Sequence, residues 1–148
     1  MQTLFGILHV VAAVFLVGPM AILPMTGLRA VRTGQPAQAR SLAKSTFMIS
    51  LLSLLVVVFG FGLLGTSDPS KHLSFATSWI WISLLAYLIA LGLILFLVVP
   101  ALNKAAAGLE ATDAASGPSA AGYGPIAAGS GIASLLLLLV VVLMVWRP

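Results

Sequence analysis

Four apolar runs, each about 20 residues long and free of Asp, Glu, Lys and Arg, decide what this chain can fold into. They cover roughly residues 3–23, 45–65, 79–99 and 126–146. At about 1.5 Å per residue, a helix of that length crosses a hydrocarbon core of about 30 Å. A backbone in lipid must satisfy its polar groups within itself, so each run is read as a helix. Too little polar sequence is left to cover a soluble globule. The chain has 148 residues and only 7% are charged, against about 25% in an ordinary soluble domain. The expected fold is one all-α membrane domain over residues 1–148. It is an antiparallel up-down four-transmembrane-helix bundle.

Orientation is written in residues 27–44, GLRAVRTGQPAQARSLAK, which carry Arg29, Arg32, Arg40 and Lys44 and no acid. With four spans, this segment and the polar stretch 101–125 fall on one side of the membrane, and that side also holds Lys104. The opposite side holds Lys71 and Arg147. Lys and Arg are enriched in cytoplasmic loops, which puts both termini outside and both larger loops in the cytoplasm. The net charge of +4 therefore reads as topology. It forms no aromatic-interleaved basic face, so no nucleic-acid partner is expected. Arg40 and Lys44 lie four apart on one helical face, where their cations would meet anionic lipid.

Local signals mark the span ends. Pro19 is expected to kink the first span and Pro24 to end it. Gly27 and Gly34 suit turns, and Pro36 suits the first position of a helix. Asp68-Pro69 reads as a turn. Trp79 and Trp81 suit the interface at the start of the third span, and Pro100 is read as closing it. Residues 104–115 read as a short surface helix, and 116–125 as a flexible connector by composition. Trp146 and Arg147 anchor the last span. No positive segment precedes the first apolar run and no small-residue cleavage site follows it, so it is read as a retained span.

His9 is the one readily titratable side chain within a span, roughly 9 Å in by the helical rise. Such groups are costly in lipid and are candidates for function. It is either a haem ligand, metal ligand or quinone partner, or a neutral imidazole bonded to a neighbouring helix. A bis-histidine haem needs a second intramembrane His, and His72 lies outside the spans. Small residues form the second candidate set. Gly124 with Ala128, and Ala127 with Gly131, have small-x-x-x-small spacing, and Gly60, Gly62 and Gly65 notch the end of the second span. In lipid such notches let backbones approach closely, within the bundle or against another subunit. Ser45, Ser50, Ser53 and Ser83 are expected to bond to neighbouring helices or to their own, and Tyr87 at mid-depth needs a hydroxyl partner.

The spans hold no acid or base of the kind that pumps and ion-coupled transporters keep in the membrane. Paired carboxylates, a Ser/His/Asp set and a phosphate loop are also missing, and there are no cysteines. The expectation is a non-enzymatic protein with no cofactor of its own. A small transporter has only Tyr87, the serines and the Pro19 kink in its favour.

Leu8-His9, Gly18 and the Arg29/Arg32/Arg40 segment resemble an uncharacterised family of four-span bacterial integral membrane proteins. In that family an early Leu-His opens the first span and an Arg-rich segment precedes the second. The opening is also similar to membrane proteins of the copper-resistance D and protoporphyrinogen oxidase types, where such a His is tied to metal or haem. The chain departs from these at Leu16, where Trp is common, and at Pro19, where a second Gly is common. Its Ala-, Gly- and Val-rich composition resembles the factors associated with the actinobacterial cytochrome bcc–oxidase supercomplex. That resemblance implies an accessory subunit of the bacterial cytoplasmic membrane, serving assembly or stability, with cytochrome bcc and oxidase subunits as partners. The cofactor alternative is a haem- or metal-binding protein using His9.

Overall fold

A computed structural model describes residues 1–67, 77–111 and 123–146. The expected turn at Asp68-Pro69, the cation Lys71, His72, most of the 116–125 connector and Arg147 lie outside the described residues. So does the end of the 104–115 helix.

Among the described residues four helices are long and apolar enough to cross a membrane: α1 (Gln2–Arg32), α2 (Pro36–Gly65), α3 (Ser78–Ala111) and α4 (Tyr123–Trp146). They pack as antiparallel neighbours, and each is longer than the span expected for it. The basic segment is therefore mostly helix, and its loop shrinks to a tight turn. Arg29 and Arg32 end α1, while Arg40 and Lys44 lie on α2. Gly34, at φ +67°, makes the reversal. Its N–H bonds to Val31 O (3.1 Å) and that of Gln35 to Ala30 O (3.0 Å), the paired bonds that satisfy a helix C-terminus ending in glycine. Pro36 opens α2 as expected. Gly27 is not a turn residue; it is buried inside α1.

Two proline readings are corrected. Pro24 does not end α1 and Pro100 does not close α3; both lie inside continuous helices. A proline ring crowds the carbonyl four residues earlier and removes one donor. For Pro19 and Pro100 those carbonyls belong to Phe15 and Phe96, which lie in wide π-type turns over Ala13–Val17 and Leu93–Val98. The widened turns absorb the clash and let the helix run on, as neighbouring helices allow in membrane proteins. Residues 104–111 accordingly continue α3, with Leu102 and Ala106 buried.

The core is concentrated at the basic end. Leu28 and Val31 of α1, Ala43 of α2, Leu102 of α3 and Ile126 of α4 meet there. A second cluster at mid-bundle joins Met20, Tyr87, Ile94 and Leu137. Toward the start of α1 this core runs out. Gln2–Ala12 and Ala13–Val17 bury no residue. The stretch Gln2–Ala12 packs on Leu54–Gly65 of α2, with no more than isolated contacts to α3 or α4. Trp79 is buried, whereas Trp81 is exposed on the outer surface.

Candidate functional site

His9 sits where the first half of α1 lies on the second half of α2. The contact is built from small residues. A Cβ added to Gly62 would fall 2.6 Å from the Phe5 ring, and one added to Gly60 would fall 3.1 Å from His9 Cε1. The missing side chains are thus filled by rings from α1. Close approach brings His9 Nδ1 to 2.8 Å from Val56 O. A carbonyl only accepts, so Nδ1 carries the proton and donates it, which leaves the Nε2 lone pair free of that bond. Nearer the helix ends, Gln2 Nε2 donates to Ser67 Oγ at 3.4 Å. Of the two readings for His9, the interhelical bond is what the geometry displays.

A second polar contact crosses the bundle at mid-depth. Ser53 Oγ donates to Ser50 O at 2.6 Å and lies 2.6 Å from Tyr87 Oη. Ser53 has one proton, already used, so Tyr87 is the donor between them. Ser53 also interrupts α2, between Pro36–Leu52 and Leu54–Gly65. Ser83 bonds back to Trp79 O at 2.8 Å. Ser50 Oγ and Thr46 Oγ1 are buried with no hydrogen-bond partner among the described residues. Ser134, which sequence reasoning missed, donates to Ala21 O at 2.9 Å and ties α4 to α1.

At the basic end, Arg40 reaches Glu110 of α3 at 2.6 Å, with both side chains about half exposed. Arg32 lies over the Tyr123 ring of α4, 5.7 Å from its centroid. Arg29 lines a surface depression of about 380 Å³ with Thr26, Thr33, Gln35 and Gln38. Lys44 lines a separate depression with Ser45, Met48 and Ile49.

The remaining small residues divide. Among the described residues a Cβ added at Gly65 or Gly124 would have nothing within 4 Å, and one at Gly131 would meet only Met25 Cε at 4.0 Å. Gly124 and Ala128 are exposed and Ala127 is half-buried. The close helix contacts in this region use other residues than those the spacing singled out. A Cβ at Gly129 would fall 2.9 Å from Val98 Cγ2, and one at Gly27 would fall 2.9 Å from Leu102 Cδ2. Gly129 and Ala133 do share the small-x-x-x-small spacing, so a signal for the first of these was present.

Among the described residues no group of three or more His, Cys, Asp or Glu comes together. Alone, His9 therefore supplies one ligand and not a coordination sphere.

Compared with known families, the chain matches over residues 3–148 the model described as "Predicted integral membrane protein (DUF2269)". It belongs to that family of integral membrane proteins. No curated protein and no solved structure matches it.

Proposed function

We propose that this protein is a non-catalytic accessory subunit of a larger complex in the bacterial cytoplasmic membrane, with the cytochrome bcc–oxidase assembly as its host, where it contributes to assembly or stability. The observation behind this reading is the uneven use of α1. Its first stretches, Gln2–Ala12 and Ala13–Val17, bury no residue fully, and among the described residues Gln2–Ala12 rests on α2, with no more than isolated contacts to α3 or α4. An outer flank carrying Leu4, Ile7, Val11 and Phe15 is left free. On α4, exposed Gly124 and Ala128 offer a small-residue surface of the kind that lets a foreign helix approach closely in lipid. Both surfaces suit helix docking, and neither places a reactive group in a cavity.

The test is a tagged pull-down from native membranes in mild detergent, with co-purifying proteins identified by mass spectrometry. Stoichiometric recovery of cytochrome subunits is expected, and its weakening by Gly124→Leu with Ala128→Leu. Recovery of this chain alone would overturn the reading.

A second reading has one observation in its favour. Metal-bound histidines usually donate their other ring nitrogen to a carbonyl or carboxylate, and His9 Nδ1 donates to Val56 O. Nε2 is then set to bind haem iron or a metal ion, provided further ligands come from outside the described residues. A Soret band or stoichiometric metal in the purified protein, lost in His9→Ala, would favour it. A colourless, metal-free protein that still joins its complex removes it.

A further inference from the structure

The elbow between α1 and α2 has a surface depression that the docking surfaces do not use. It has a volume of about 380 Å³ and is lined by Thr26, Arg29, Ala30, Thr33, Gln35 and Gln38. The two threonines have spent their protons. Thr26 donates to Ile22 O at 3.3 Å, and Thr33 to Arg29 O at 3.0 Å. The donors left for a guest are the Arg29 guanidinium and the amides of Gln35 and Gln38. Among the described residues no carboxylate lines the space.

Arg29 differs from the other arginines of this end. Arg40 is paired with Glu110 and Arg32 lies over Tyr123, while Arg29 has no ion pair among the described residues. A forked cation with flanking amide donors and no acid matches the tetrahedral, multiply accepting oxygens of a phosphate better than it matches a cation or a neutral polar group.

Position decides which phosphate. Thr26 and Arg29 lie on the last turns of α1, beyond the apolar run, where headgroups are expected. Directly below them on the same helix, Ile22 is 65% exposed and Met25 is 43% exposed. They offer an apolar track for an acyl chain below the Arg29 guanidinium. We infer that this depression binds the phosphate group of an anionic phospholipid, with Arg29 as its principal ligand and Gln35 and Gln38 as secondary donors. The inference requires no protein partner and stands apart from the docking reading.

The experiment uses the full chain in detergent, titrated with phosphatidylglycerol and, separately, with phosphatidylcholine, inorganic phosphate and glycerol phosphate. Retained lipid is read by native mass spectrometry. One phosphatidylglycerol per chain is expected to outlast the others. Arg29→Gln is expected to weaken it about tenfold or more, the loss of a charge-assisted contact, and Arg29→Lys by less. Lys104→Gln removes the same charge from α3, outside the lining of the depression, where screening leaves little effect. Matching melting temperatures for the variants establish that the bundle is intact. Equal retention in wild type and Arg29→Gln, or equal losses in Arg29→Gln and Lys104→Gln, would overturn the site. If inorganic phosphate or glycerol phosphate binds alone with the same Arg29 dependence, the lipid source is overturned and a soluble phosphate takes its place.

Discussion

His9 lies on Gly60. The space a Cβ would need at Gly60 is taken by the imidazole, 3.1 Å from Cε1 and 3.2 Å from Nδ1. The same ring bonds to Val56 O at 2.8 Å. The glycine and the hydrogen bond are therefore one arrangement, since a side chain at Gly60 moves the ring away from the carbonyl.

Gly60→Val is expected to destabilise the bundle by about 1–3 kcal/mol, the range for forcing extra carbons into a packed contact. His9→Ala removes one interhelical hydrogen bond, worth about 0.6 kcal/mol in a membrane interior. Gly65→Val lies in the same helix end but meets open space, so its cost should stay within about 0.5 kcal/mol. Thermal unfolding in detergent ranks the three. A Gly65→Val variant as damaged as Gly60→Val would show that the helix end, and not the ring contact, sets the stability.

The spans were legible because lipid imposes a simple demand: about 20 apolar residues with no charge. Where each helix stops was not. Pro24 and Pro100 carry the signals that end helices in water, yet they sit inside α1 and α3. The wide turns over Ala13–Val17 and Leu93–Val98 have no sequence signature apart from the prolines that follow them. The same limit applied to the glycines. Spacing identified Gly124 and Ala128 as a pair, but which face of α4 meets α3 depends on how the whole bundle is rotated. That rotation places Gly129 against Val98 and Leu97 and leaves Gly124 outside. His9 was identifiable as a rare polar group, while its partner, a backbone carbonyl, has no mark in a sequence.

The Ser53–Tyr87 contact predicts an asymmetry. Tyr87→Phe leaves Ser53 Oγ still bonded to Ser50 O, so only one hydrogen bond is lost, at about 0.6 kcal/mol. Ser53→Ala strands a buried Tyr87 hydroxyl, and an unsatisfied buried group costs about 1–3 kcal/mol. The double variant has no stranded group and should resemble Tyr87→Phe. Melting temperatures of the three proteins check the order, and a Ser53→Ala variant no worse than Tyr87→Phe would mean that another acceptor serves Tyr87.

Arg40 and Glu110 form a short ion pair between α2 and α3, but their side chains are 54% and 47% exposed. Water screens such a pair, so a double-mutant cycle with Arg40→Gln and Glu110→Gln is expected to give a coupling of about 0.2–1 kcal/mol. The coupling should shrink in about 1 M salt, where the screening length falls to about 3 Å. A coupling that survives high salt would place the pair in a drier setting than its exposure indicates.

Two kinds of small residue on α4 should answer differently to enlargement, and this separates folding from docking. Gly129 is buried against Val98 and Leu97, with a missing Cβ only 2.9 Å from Val98 Cγ2. Gly129→Leu must therefore push α4 off α3 and is expected to cost about 1–3 kcal/mol or more. Gly124 has nothing within 4 Å among the described residues, so Gly124→Leu should leave the melting temperature near that of the wild type. Under the proposed accessory role, the effect of Gly124→Leu is then expected outside the bundle, as a loss of co-purifying membrane subunits. Measuring unfolding and co-purification on the same two proteins gives the comparison. If Gly124→Leu melts normally and still co-purifies with the same proteins, the α4 face drops out of the proposed docking, and the flank of α1 carrying exposed Leu4 and Ile7 is left as its candidate.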